Sequence, residues 1–490
     1  MTEDSQHSSL YYDTAKGFKW IAILQFSQQI LVLIVNLILA RILGPSDFGL
    51  VALVTVTTGL LLTIVDLGFN AAIIQKDEIN ENQLSTAFFL NLIMGLLLCL
   101  LLASSSISLA RFFQKEAMGP MLQFFSLVLI IRAFISVQLA LYDRNMDFKK
   151  VTLISIFALI IGTLCKLVLA LKDFGAWSII YGEFLNQLVL VITLWSFSTW
   201  RPSLQRVNKK SFSELFTFGS NIMLSNLIGS LSGKIDVMMI GKLVSSSQLG
   251  IYSMAFNISA IFPQQINAVV QRVMFPSFSR MQADNDLLGN TYCKLTKYLS
   301  IIGTPALVGM AMVAPEFVNL VLSPKWANAI PILQILCLYA ITNVMGGVLC
   351  AQILKAKGYA NMVLWMTAIR LIALIAFIYV GSHWGLIGIA LSLTAYGWIF
   401  RFIYQHIVNK VIDLTMRWYV LNLIPSIVCT LVMAVSLLTL RYIDMIIMIP
   451  QTALLIIMIS TGIVVYYGSL RIVYRTDYDE LLQASKAVIG

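Results

Sequence analysis

Apolar stretches of twenty or more residues recur along this chain, and no other feature limits its fold as strongly. A helix of that length spans the roughly 30 Å hydrocarbon core of a bilayer. Inside that core each backbone N–H and C=O has to be satisfied within the segment, which a helix does by itself. Only 11% of the 490 residues are charged and 59% are hydrophobic, against about 25% charged in a soluble domain. The fold class is therefore an all-α polytopic membrane protein. The apolar blocks predict about 14 transmembrane helices, near residues 18–42, 48–72, 84–110, 119–142, 151–172, 177–200, 213–242, 249–275, 298–323, 331–354, 361–381, 385–409, 418–440 and 446–470.

The formal charge of +10 suggests nucleic acid until it is placed on these spans. With the N-terminus inside, most of the cations fall in cytoplasmic segments, as the positive-inside rule requires. The runs Arg144, Lys149, Lys150 and Arg201, Arg206, Lys209, Lys210 then face anionic membrane lipids, and no nucleic-acid partner is expected. Both termini are expected in the cytoplasm. The first 17 residues are polar and lack the short apolar core and small-residue cleavage site of a removable signal. Cys99, Cys165, Cys337, Cys350 and Cys429 fall in spans and Cys293 in the loop 276–297, so no disulfide is expected. His7, His383 and His406 are too few for a histidine metal site; no metal and no bound cofactor are expected.

A weak internal repeat organises the chain. Arg41-Ile42-Leu43-Gly44-Pro45-Ser46-Asp47-Phe48-Gly49-Leu50 aligns without a gap on Lys242-Leu243-Val244-Ser245-Ser246-Ser247-Gln248-Leu249-Gly250-Ile251. The register matches helix 1 with helix 7 and implies two six-helix halves of one orientation, as in transporters built from parallel repeats. The expected organisation is an N-terminal lobe at 1–200, a cytoplasmic inter-lobe loop at 201–212, a C-terminal lobe at 213–410, and two extra helices with a tail at 411–490.

Chemistry is sought among polar residues inside the spans, since a charge at mid-membrane costs about 3 kcal/mol or more unless it faces a bundle interior or a wet cavity. Five cations, Arg132, Lys166, Lys234, Arg370 and Arg401, stand against three acids, Asp66, Glu183 and Asp236. The bland reading is three ion pairs that lock helices together. Two cations remain over, and a net-positive cavity suits an anionic ligand. Helix 7 is rich in polar groups, among them Asn226 and Ser230, and its repeat mate carries Gln28 and Asn36; the four are expected to line a polar cleft. Asp66, just before Gly68, either fixes a helix end or serves a gate. Glu183 and Asp236 are candidates to carry a coupled proton or sodium ion. Pro263, Pro305, Pro315, Pro425 and Gly346-Gly347 are places where a span can bend. Gly229-Ser230-Leu231-Ser232-Gly233-Lys234-Ile235 lacks the spacing and the hydroxyl residue of a phosphate-binding loop, and its two glycines are expected to form a close helix-packing face.

Several stretches resemble the polysaccharide repeat-unit flippases of the multidrug/oligosaccharidyl-lipid/polysaccharide exporter superfamily, of the colanic-acid type. They are Phe48-Gly49-Leu50, then Asp66-Leu67-Gly68-Phe69-Asn70-Ala71-Ala72-Ile73-Ile74-Gln75-Lys76, then Phe275-Pro276-Ser277-Phe278-Ser279-Arg280-Met281-Gln282, and Lys325-Trp326-Ala327-Asn328-Ala329-Ile330-Pro331-Ile332-Leu333-Gln334. The resemblance implies a V-shaped secondary transporter of two six-helix lobes plus two trailing helices in the bacterial inner membrane. It implies movement of an undecaprenyl-pyrophosphate-linked oligosaccharide to the periplasmic leaflet by alternating access, beside a polysaccharide polymerase machinery and without catalysis. It transfers no site motif, so the residues above rest on charge alone. The alternative is a drug or cation antiporter of the same superfamily, which would favour an acidic, aromatic cavity. A membrane glycosyltransferase, polymerase or ligase is a third reading, and the external loops are too short for it.

Overall fold

The computed structural model describes residues 28–76 and 78–480, with the backbone alone over 267–273. Among them every regular element is a helix. The chain forms two compact units, one ending at Gly250 and one beginning at Ile251. The first unit holds α1 (Gln28–Ile42), α2 (Pro45–Val65), α3 (Phe69–Gln75), α4 (Glu81–Phe113), α5 (Met118–Phe125), α6 (Leu127–Arg144), α7 (Phe148–Leu171), α8 (Ala176–Phe197), α9 (Lys209–Ser232), α10 (Ile235–Leu243) and the start of α11 (Ser246–Arg280). The second holds the rest of α11 and α12 (Asn285–Phe317), α13 (Ala329–Thr342), α14 (Val348–Ala356), α15 (Ala360–Ser382), α16 (Gly385–Val411), α17 (Met416–Ile447) and α18 (Gln451–Val473).

Eleven helical segments among the described residues are long and apolar enough to cross a membrane, and the protein is an all-α polytopic membrane protein. Large apolar side chains on their outer faces are bare, such as Trp365 at 70% and Ile372 at 71% exposure, as a lipid-facing surface requires. Three of the expected spans are not among the eleven. Residues 18–27 of the first lie outside the described residues, leaving the shorter α1. The span at 213–242 is broken at Gly233 and Lys234 into α9 and α10, and α9 is thick with Ser and Asn. The span at 249–275 lies in α11, which has Pro263 and Pro276 inside it.

One expected loop is largely absent. Residues 276–297 are mostly helical: α11 runs on to Arg280 and α12 starts at Asn285, where the Asp284 side chain accepts the Leu287 N–H at 2.9 Å. Cys293 is therefore buried in a helix rather than placed in a loop. Asn80, Asn208 and Thr415 cap other helices in the same way as Asp284, satisfying N–H groups that a helix start leaves unpaired.

The two copies of the repeated turn behave alike and meet. Asp47 accepts the Gly44 N–H at 3.0 Å, and Gln248, its counterpart, accepts the Ser245 N–H at 3.2 Å. A Cβ on Gly49 would fall 1.8 Å from the Ser246 carbonyl oxygen, and one on Gly250 would fall 1.7 Å from the Pro45 carbonyl oxygen. Each turn thus lays its glycine on the residue of the other that matches its own contact point. Only a hydrogen side chain permits backbones this close.

Candidate functional site

α2 does not run through residue 72 as its apolar pattern predicts. It stops at Val65, and Leu67 (φ 48°) and Gly68 (φ 77°) take left-handed conformations before α3 restarts. The Asp66 carboxylate accepts the Gly68 N–H at 3.0 Å, which holds this turn. The tight approach of α9 explains why the turn is there: a Cβ on Gly68 would lie 2.0 Å from the Gly219 carbonyl oxygen, and one on Gly219 would lie 2.7 Å from the Leu67 oxygen. Nearby, Glu214 of α9 receives Lys76 Nζ and Gln83 Nε2, both at 2.7 Å.

Beyond this contact α2 and α9 part around a cavity of about 600 Å³, within the range of small-molecule sites. Asp66 and Arg132 bring opposite charges to its wall, and Gln187, Ser225, Asn226 and Ser230 bring amides and hydroxyls. Gly229 also faces it, with nothing within 4 Å of where its Cβ would be. The Gly229–Gly233 pair is therefore not a close packing face: the glycine that packs is Gly219, and Gly229 widens the cavity.

The other expected residues are placed as follows. Lys166 Nζ lies 2.8 Å from Glu183 Oε2, and Asn186 and Gln187 both donate to Glu183 Oε1 at 3.3 Å. That pair is thus joined to the cavity through Gln187. Lys234 sits at the break after α9 with its ammonium over Gly59 of α2, where a Cβ would be 2.5 Å away. Asp236 is buried in the first turn of α10, where the helix dipole favours an acid. Gln28 and Asn36 are half-buried on α1 and do not line this cavity.

Arg370 and Arg401 lie in the second unit, and Arg132, Lys166 and Lys234 in the first. Within the first unit Arg132, Lys166 and Lys234 are matched in number by Asp66, Glu183 and Asp236. The second unit contains a pair that the charge count omitted, Glu316 and Arg441, 2.7 Å apart; Arg441 falls one residue past the expected end of its span. The two surplus cations are Arg370 and Arg401.

Residues 38–331 match the model of a family described as polysaccharide biosynthesis protein. This chain belongs to that family. The lipopolysaccharide biosynthesis protein WzxC of Escherichia coli K12 is 27% identical over 419 residues, covering 85% of each chain. The teichuronic acid biosynthesis protein TuaB of Bacillus subtilis is 28% identical over 415 residues, 83% of each. Among solved structures, the lipid II flippase MurJ in an inward closed conformation superposes with a TM-score of 0.70 over 93% of this chain and 98% of its own, at 15% identity. The expected resemblance to polysaccharide repeat-unit flippases is borne out, and this chain shares a multi-helix membrane fold with the MurJ structure.

Proposed function

We propose that this family member is a flippase that carries a lipid-linked oligosaccharide repeat unit, on an undecaprenyl pyrophosphate, across the bacterial inner membrane for surface polysaccharide synthesis. The observation that carries the reading is a polar cavity inside a helical membrane unit of a polysaccharide biosynthesis protein. Arg132 supplies a cation for the pyrophosphate, since guanidinium groups bind phosphate oxygens in pairs of short charge-assisted hydrogen bonds. Asn226, Ser230, Ser225 and Gln187 offer donors and acceptors to sugar hydroxyls. The polyprenyl tail stays in hydrocarbon, where it costs nothing, while the head group exchanges water for these groups.

The names of the relatives support this assignment. WzxC and TuaB are named for the synthesis of different polymers, and lipid II is the substrate in the name of the MurJ structure. We read the protein as a secondary transporter and not an enzyme, working by alternating access with both termini in the cytoplasm and alongside a polymerase. The breaks at Leu67–Gly68, Gly233–Lys234 and Gly346 give its helices places to bend. Glu183 and Asp236 are the carboxylates we assign to a coupled proton or sodium ion.

The test is a deletion strain in which lipid-linked oligosaccharide is measured on each leaflet. Deletion should leave the repeat unit on the cytoplasmic side, and Arg132→Ala and Lys234→Ala should do the same while the protein is still made at normal level. Failure of any lipid-linked sugar to accumulate in the deletion strain refutes the assignment.

A further inference from the structure

The second unit contains a cavity that the transport reading does not use. Residues 343–347 form a wide helical turn between α13 and α14, where Met345 has ψ 32° and Gly346 has φ 93°. This break brings Thr342, Asn343 and Gly347 to the wall of a cavity of about 40 Å³, whose other walls include Arg370 of α15 and Arg401 of α16. A neighbouring space of about 150 Å³, with Ser259 and Gln264, shares Tyr339 and Asn343 with it.

Neither arginine has a carboxylate within ion-pair distance among the described residues. Arg401 is 6% exposed. Its Nη1 donates to Cys350 Sγ at 3.0 Å, and its Nη2 donates to Tyr419 OH at 2.8 Å, to Tyr292 OH at 3.2 Å and to Gln405 Oε1. None of the four partners is a carboxylate, and its Nε–H, though buried, has no acceptor. Arg370 donates from Nε to Tyr396 OH at 3.3 Å and lies over the rings of Tyr396 and Tyr404. The acids of this unit that lie on nearby helices are engaged elsewhere: Glu316 with Arg441 at 2.7 Å and Asp477 with Lys297 at 2.5 Å.

A buried guanidinium, Arg401, and a half-buried one, Arg370, repel each other across one cavity, and Arg401 has given up hydration that its hydrogen-bond partners only partly replace. In a membrane bundle that arrangement is costly unless a negative charge joins it. Volume restricts which one: about 10–15 Å³ already holds a water, so this cavity admits a monatomic anion with a water or two, whereas a pyrophosphate bearing a sugar does not fit. We propose that the second unit binds one small monovalent anion, chloride by size, between Arg370 and Arg401. The anion accepts from the two guanidinium groups and fixes α15 and α16 to the broken turn at 343–347.

The inference does not rest on the transport reading and is tested without transport. Full-length protein, purified in detergent, is melted in sodium chloride and in sodium gluconate at equal ionic strength, and bromide binding is measured by equilibrium dialysis. The melting temperature should rise by a few degrees with chloride and saturate, with about one bromide bound per chain. Arg370→Gln, at the more open side of the pair, should fold and lose both signals, and Arg401→Gln should lose them if it folds. Arg132→Ala, in the first unit, should keep them. No halide dependence in the wild type, or full halide binding by a folded Arg370→Gln, overturns the proposal. Displacement of bromide by inorganic pyrophosphate or by phosphatidylglycerol micelles also overturns it, because the site would then take a head group and not a monatomic ion.

Discussion

Replacing Gly250 by alanine adds one methyl group where the structure has no room for it. That carbon would stand 1.7 Å from the Pro45 carbonyl oxygen, so the two turns have to part by at least as much again to reach the 3.4 Å of an ordinary contact. Overpacking of this kind costs about 1–3 kcal/mol. Because backbone rather than a flexible side chain is struck, the lowest part of that range does not apply. At about 2 kcal/mol the paired arrangement loses roughly thirtyfold in population against any in which the turns are apart. The packing of α2 on α10 loosens with it, where Leu53 is fully buried and a Cβ on Gly241 would be 2.4 Å from its Cδ2. Maleimide labelling of Leu53→Cys, measured in purified protein and corrected for the native thiols, should accelerate about ten- to thirtyfold on adding Gly250→Ala. Gly49→Ala should do the same, and the two together should do little more, since one contact is broken only once. Unchanged labelling in either single variant, or full additivity of the two, refutes the reciprocal contact.

Lys166→Met should lower stability by about 3 kcal/mol by stranding a carboxylate, and Lys166→Met with Glu183→Gln should regain most of it; thermal melts of the purified variants in one double-mutant cycle check this. Gly346→Ala should cost about 2–4 kcal/mol, from left-handed strain and overpacking, because its Cβ would be 3.0 Å from both Arg401 Nη2 and Tyr292 OH; it should also abolish chloride stabilisation in the same melt. At the chain's last described residue, the Tyr298 hydroxyl and the Lys297 ammonium hold the Glu480 carboxyl below its ordinary 4.5. A carboxyl depressed in the folded state stabilises above 4.5 and loses that contribution as pH falls through its lower folded value. Hydrogen exchange over residues 475–480, corrected for its intrinsic pH dependence, should therefore quicken below pH 4.5 in the wild type and be already fast at neutral pH in Glu480→Gln.

The spans were legible because their signal is long and local: twenty apolar residues read as a crossing helix wherever they end up. What interrupts them was not. The break at Leu67–Gly68 depends on Gly219, some 150 residues away, pressing on it, and no local pattern carries that. Spacing put Gly229 and Gly233 on one face of a helix without saying whether that face meets another helix or a cavity. Counting charges found a surplus of two cations without saying which; only the fold divides the five between the two units, with Arg132, Lys166 and Lys234 matched in number by acids of the first. The repeat was legible as an alignment, but that its two glycines lie against each other's turns is seen only in the fold.

The polarity of α9 bears on how the protein is made. A segment this rich in Ser and Asn gains little by entering hydrocarbon alone, and the insertion machinery admits helices largely by their apolar content. α9 has few fully buried residues of its own, among them Gly219 and Leu215, and it leans on α2, α3 and α4. Its entry into the bilayer must then follow theirs, as a late arrival received by helices already in place. Ribosomes stalled after about residue 300, with α9 clear of the exit tunnel, should show α9 glycosylation-tag accessible when Gly219 is replaced by leucine and protected when it is not.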